Sequence, residues 1–111
     1  MIVIKRNGSE QEFDITKIVT AINKASQELY HKDFYMAEDI AMDVEDYFEN
    51  YYLPPTVEQI QDMVEIELME YDAELARAYI RYRYKREIAR EVKDDFFKAI
   101  EEKLTASNVQ N

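Results

Sequence analysis

Basic residues at regular intervals are the part of this 111-residue sequence best suited to chemistry. Lys5 and Arg6 stand directly before Asn7-Gly8, and Lys17 falls in the first turn of a candidate helix. Further along, Arg77, Arg81 and Lys85 recur at i, i+4 and i+8 and share one helical stripe, with Arg83, Arg86 and Arg90 on the stripe beside it. Tyr79, Tyr82 and Tyr84 are interleaved with them. Cations beside aromatic rings suit a phosphate with a stacked base. The free N–H groups of a first helical turn also favour an anion near Lys17. Blander readings compete. Lys5 and Arg6 can blunt an exposed edge strand, and a basic helix can pack beside acidic neighbours or lead to another domain.

Other chemistries find less support. Asp39 with Asp43, and Asp62 with Glu65, lie one helical turn apart, as metal-binding carboxylates do. Solvated helix faces look the same, and no E-x-x-H spacing accompanies them. Cysteine is absent, which removes disulfides, thiolate nucleophiles and zinc ribbons. The single histidine, His31, follows a candidate helix end and suits that place better than catalysis. Ser9, Ser26 and Ser107 lack the setting of a nucleophile elbow. The single glycine, Gly8, excludes a Walker A loop and a dinucleotide fingerprint. No apolar stretch approaches the roughly 18 residues of a membrane span, and the N-terminus lacks the order of a signal peptide. A cytoplasmic protein is the expectation.

The formal net charge of -10 argues against a binder of nucleic acid. That charge is segregated. Residues 31–75 carry Lys32 against 14 acidic residues, whereas the six bases from Arg77 to Arg90 face only Glu87. A small anion can bind at such a patch while the overall field repels a long polyanion.

The elements that must position these groups follow from periodicity. Ile2, Val3 and Ile4 are β-branched, Asn7-Gly8 is a two-residue turn signal, and Glu10 to Phe13 return, which predicts a hairpin. Asp14 is placed to cap a first helix through Ile15, Ile18, Val19, Ile22, Ala25 and Leu29, ending near Tyr30. A second apolar run uses Met36, Ile40, Val44, Tyr47, Phe48 and Tyr51, and Leu53-Pro54-Pro55 stops it. Thr56 and Gln59 have capping-box spacing before a third helix through Val57, Ile60, Val64, Leu68 and Tyr71. Asp72 can cap a fourth through Leu75, Tyr79, Tyr82, Ile88, Val92 and Phe96. The expected fold is α+β, mainly α: a short N-terminal β-hairpin covering a four-helix bundle. A hairpin this short is not stable alone and must lie over the helices.

These residues resemble a known family. Val3-Ile4-Lys5-Arg6-Asn7-Gly8, then Phe13-Asp14 and Lys17-Ile18, is similar to the opening of the ATP-cone domain. Thr56 to Gln61 with Val64, Glu65 and Leu68 resembles its middle segment, and Ala78 to Arg86 its closing Y-R-x-x-R helix. The resemblance implies a regulatory module over residues 1–90 that binds ATP or dATP, with Mg²⁺ between the phosphates and nearby acids. Such modules stand mostly at the N-terminus of ribonucleotide reductase large subunits. The segment from Tyr82 onward looks like the lead-in to the catalytic domain of the anaerobic (class III) ribonucleoside-triphosphate reductases. On that reading the last helix continues to about residue 104, and residues 105–111 are a linker or a truncated lead-in. The chain itself performs no catalysis. Its partners are the nucleotide, the catalytic domain of the same enzyme and another cone in an oligomer, with no membrane and no direct nucleic acid.

The resemblance also implies a site. Val3, Lys5 and Arg6 contact nucleotide from the hairpin. The stretch Gln11, Glu12, Phe13, Asp14 to Lys17 lines base and sugar, with Lys17 toward phosphate, and Ile18 packs on adenine. Val57 and Gln61 face the site from helix three, and Arg81 and Lys85 from helix four, with Lys85 reaching the phosphates. Positions 57, 61 and 11 are Val, Gln and Gln where some members of the family have Thr, His and Glu. The alternative is a small acidic helical adaptor that docks a basic partner and binds no nucleotide.

Overall fold

A computed structural model describes residues 1–109. Strand β1 (Ile2–Ile4) pairs antiparallel with β2 (Glu10–Glu12). Four helices follow: α1 (Ile15–Tyr30), α2 (Ala37–Glu49), α3 (Val57–Tyr71) and α4 (Ala73–Val109). The fold is mainly helical with one two-stranded antiparallel sheet.

The hairpin turn is wider than the expected two-residue one. Ile4 faces Glu10, Lys5 N–H donates to the Ser9 carbonyl at 2.8 Å, and Gly8 N–H donates to the Lys5 carbonyl at 2.9 Å. Arg6, Asn7 and Gly8 therefore form a three-residue loop. Gly8 has φ 85° and Asn7 is not left-handed, which excludes the type I′ turn that Asn-Gly signals and matches a turn closed by a left-handed glycine. The consequence is functional. The loop lifts Arg6 to the hairpin tip instead of leaving it in a strand.

Helix starts follow local chemistry. Asp14 accepts from Thr16 N–H at 3.0 Å, and Thr56 and Gln59 close a full capping box at 2.9 and 3.1 Å. Asp72 accepts from Leu75 N–H at 3.1 Å at the start of α4. His31 ends α1 in a left-handed conformation, φ 59°.

The core lies between the helices and under β1. Ile22, Ile40, Val44, Val64, Leu68 and Leu75 are fully buried, and each such side chain contributes roughly 1.5–3 kcal/mol by leaving water. Val3 joins them from the hairpin. Ile4 N–H donates to the Pro55 carbonyl at 2.9 Å, a parallel bridge that fastens β1 to the loop before α3. Tyr30 donates to Asp72 at 2.6 Å and ties the end of α1 to the start of α4.

Several expected core positions are not in the core. Tyr47, Tyr51 and Tyr71 are exposed, and Tyr47 and Tyr51 hydrogen-bond to each other through their hydroxyls. Their phenol ends satisfy themselves at the surface, so helical spacing alone overstated their burial. The larger difference concerns α4. It is 37 residues long, about 55 Å at helical rise, against a longest dimension of 60 Å for the whole molecule. Its first turns are buried through Leu75, Ala76, Ala78 and Tyr79, and then it leaves the bundle. Ile88, Val92 and Phe96, expected on an apolar face, are 41, 63 and 61% exposed. Thr105 to Val109 are helical where a linker was expected beyond about residue 104. The Thr105 hydroxyl donates back to the Glu101 carbonyl at 3.0 Å. Polar residues continue a helix readily when neither Gly nor Pro interrupts it. Gln110 and Asn111, the remainder of that expected linker, lie outside the described residues.

Candidate functional site

The sequence folds one cleft between the hairpin, α1, the start of α3 and the middle of α4, with a volume of about 970 Å³. β1 contributes Val3, and the hairpin loop brings Lys5, Arg6 and Asn7 over it. Period-two alternation puts Gln11, opposite Val3, on the same face. The β2–α1 junction supplies Phe13 and Asp14, and α1 supplies Lys17, Ile18 and Lys24. α3 enters with its first turns, through Val57, Glu58, Ile60 and Gln61. α4 lays Tyr79, Tyr82 and Arg83 along the opposite wall, then Arg86, Glu87, Arg90, Lys93 and Asp94.

The cleft is divided chemically. Val3, Phe13, Ile18, Val57 and Ile60 make an apolar end beneath the hairpin. Eight basic residues line the whole, against four acidic ones. A chain of net charge -10 thus concentrates positive charge in this cleft, which focuses the field on an anion. Not all of that charge is free. Arg83 donates to Asp62 at 2.7 Å and to Glu65 at 2.8 Å on α3. Burial pulls its basicity down, but those two hydrogen bonds outweigh it and hold the guanidinium firmly charged. Asp14 is likewise occupied. The Thr16 hydroxyl and N–H hold its carboxyl below the usual carboxylate range, so it acts as a helix cap facing the cleft. Burial pushes the Tyr79 phenol well above its ordinary range, so it stays neutral in the wall. Arg86 donates to the Tyr82 hydroxyl at 3.2 Å and its guanidinium stands 5.8 Å from that ring's centre, which orients a cation along the cleft.

Ten of the expected site residues surround this cleft: Val3, Lys5, Arg6, Gln11, Phe13, Asp14, Lys17, Ile18, Val57 and Gln61. Three do not line it. Glu12 points to the other face of the strand, where it lies 3.5 Å from the terminal ammonium of Met1. Arg81 is exposed away from the cleft. Lys85 stands 3.6 Å from Glu28 on α1. The stripe that does line the cleft is the neighbouring one, through Tyr79, Tyr82, Arg86, Arg90 and Lys93. One residue along a helix is a rotation of 100°, so Lys85 and Arg86 cannot share a direction. The signal was present in the 3–4 spacing running from Tyr79, because the stripe that begins in the core must continue into the cleft. Lys24, Glu58 and Glu87, not singled out from the sequence, also line the cleft. Among the described residues no group of three or more acidic or histidine side chains is placed to hold a metal ion by itself. No helix among the described residues is long and apolar enough to cross a membrane.

A hairpin laid over four helices, with a cation-walled cleft beneath its tip, defines the class to which the comparisons point. Residues 1–88 match the ATP cone domain. The chain is 39% identical over 110 residues to the anaerobic ribonucleoside-triphosphate reductase of Haemophilus influenzae, covering 97% of this chain and 16% of that protein. The chain belongs to the ATP cone domain family, a family of nucleotide-binding regulatory domains. It spans about a sixth of the length of that relative.

Proposed function

We propose that the cleft binds ATP or dATP and that the chain is the activity-regulating domain of an anaerobic ribonucleotide reductase, in the cytoplasm. The observation that carries this reading is the joining of an apolar end to a run of cations inside a single cleft of an ATP cone. The apolar end, with Val3, Ile18 and Val57, suits an adenine ring, and Gln11 and Gln61 offer amides to its edge or to the sugar. Lys5, Arg6 and Lys17 take phosphates from the hairpin side, and Arg86 and Arg90 from α4, in the places first assigned to Lys85 and Arg81. Mg²⁺ arrives on the phosphates and needs only one or two protein acids.

Residues 1–90 are the nucleotide-binding unit in this reading, and the projecting part of α4 leads to the catalytic part of the enzyme. Regulation is then linkage. ATP and dATP differ by one hydroxyl, and each shifts the enzyme only by its differential affinity for two arrangements. The test is calorimetric titration of the chain with ATP, dATP and GTP in the presence of Mg²⁺, repeated with Lys5→Ala and Arg86→Ala. Saturable, adenine-selective binding that both substitutions weaken supports the reading. Absence of heat and of thermal stabilisation at millimolar nucleotide refutes it.

A further inference from the structure

Arg6 meets two carboxylates at the mouth of the cleft. Its Nε is 3.9 Å from Glu58 on the first turn of α3, and its Nη2 is 3.8 Å from Glu87 on α4. Arg6–Glu87 is the one ion pair, among the described residues, that joins the hairpin to α4. All three residues line the cleft. The side chains are 38, 46 and 48% exposed, and Arg6 donates no hydrogen bond to a protein group among the described residues. These are loose Coulombic contacts across an opening. They are longer than charge-assisted hydrogen bonds, which close to roughly 2.7–2.9 Å. A guanidinium with its donors unspent, held between two carboxylates, is in place to exchange them for phosphate oxygens.

We propose that Glu58 and Glu87 form a carboxylate latch on Arg6. It draws the hairpin tip across the cleft in the free chain and competes with an incoming polyphosphate for the guanidinium. The inference rests on the nucleotide-binding reading above and adds to it an autoinhibitory contact. Filling the cleft replaces Arg6–carboxylate pairs with Arg6–phosphate bonds, so the hairpin tip is uncoupled from α3 and α4 as the ligand seats. Binding thereby changes how the hairpin is tied to the helix that projects from the bundle. Each half-exposed pair is weak, so the latch sets affinity by a factor of a few and does not block the site.

The experiment is a thermodynamic cycle on the full chain with Glu58→Gln/Glu87→Gln, Arg6→Ala and the triple variant. ATP and inorganic tripolyphosphate are titrated in each. The double variant should bind both ligands about 3- to 10-fold more tightly than the parent, and the gain should vanish in the Arg6→Ala background. Hydrogen exchange of the ligand-free chain should be faster at the hairpin-tip amides in the double variant. An affinity that does not rise, or a rise that survives without Arg6, overturns the latch. Weaker binding together with lost Mg²⁺ dependence also overturns it and assigns the two acids to the metal. If the parent binds neither ATP nor tripolyphosphate, the nucleotide-binding reading fails. The competition with polyphosphate falls with it, and the exchange rates then decide the carboxylate tether on the hairpin tip: acceleration supports it, and no change refutes it.

Discussion

Replacing Arg83 by alanine should destabilise the fold while changing nucleotide affinity little. Arg83 lines the cleft among cations that are placed for phosphate, yet its Nη1 is spent on Asp62 and Glu65. The Arg83 side chain is 19% exposed, Glu65 24% and Asp62 63%. A hydrogen bond to a charged group is worth roughly 1.5–3 kcal/mol when shielded. The Asp62 side, open to water, falls back to the surface range below about 1 kcal/mol. The Glu65 side keeps the lower part of the shielded range, and removal of Arg83 also leaves Glu65 half-buried without its partner. The arginine stem adds packing beside Tyr79. The total is about 2 kcal/mol, which for a domain of this size lowers Tm by about 10 °C. Thermal and urea unfolding followed by circular dichroism measure this directly, and an unchanged urea m-value will show that the unfolded state is the same. An unshifted melt combined with a loss of ATP affinity of tenfold or more would refute the reasoning and make Arg83 a phosphate ligand.

Three further outcomes can be checked by the same unfolding assays. Ile22 is fully buried, so Ile22→Ala should cost about 2–5 kcal/mol and Ile22→Val about 0.5–1.5 kcal/mol. Equal losses in the two variants would refute the burial argument, because even a fully collapsed site loses more transfer free energy with alanine than with valine. Thr56→Ala removes one half of the capping box and should cost about 1 kcal/mol. Because that box sits beside Pro55, where β1 is fastened, amide exchange at Ile4 should accelerate as well. Glu67 is pushed above the ordinary glutamate range by burial first, and then by the charges of Asp43 and Glu70. A raised folded-state pKa means that stability is full while the group is protonated and falls as pH rises through that pKa. Glu67→Gln should therefore stabilise the chain at about pH 7, and the gain should disappear near pH 4, where the unfolded carboxyl is also protonated. A gain independent of pH would show that ionisation is not its cause.

Much of this molecule is local and was readable residue by residue. Asp14 and Thr56 start their helices because each side chain reaches an N–H two or three residues on. Gly8 sits where positive φ is needed, although the loop that it closes has three residues and not two. The apolar positions of α1 and α3 that recur at helical spacing supply the core residues Ile18, Ile22, Ile60, Val64 and Leu68. The cleft's hairpin half was reached through the family resemblance: the two-residue turn read from Asn7-Gly8 would pair Val3 with Glu12, and the three-residue loop is what sets Gln11 opposite Val3.

What tertiary structure decided is rotation and partner choice. Which stripe of α4 faces the cleft depends on how α4 seats Leu75, Ala76 and Tyr79 against the bundle, and a single residue's rotation exchanges Arg86 for Lys85. Whether Arg83 serves a ligand or α3 depends on Asp62 and Glu65 lying opposite it, a distance of 18 residues or more along the chain. Whether Ile88, Val92 and Phe96 are buried depends on what lies beside a helix that outruns its bundle. Helix caps and the left-handed glycine come from interactions between near neighbours, so sequence alone determined them. The direction of a charged side chain on a long helix is set by contacts between distant residues, and only the packed molecule could determine that.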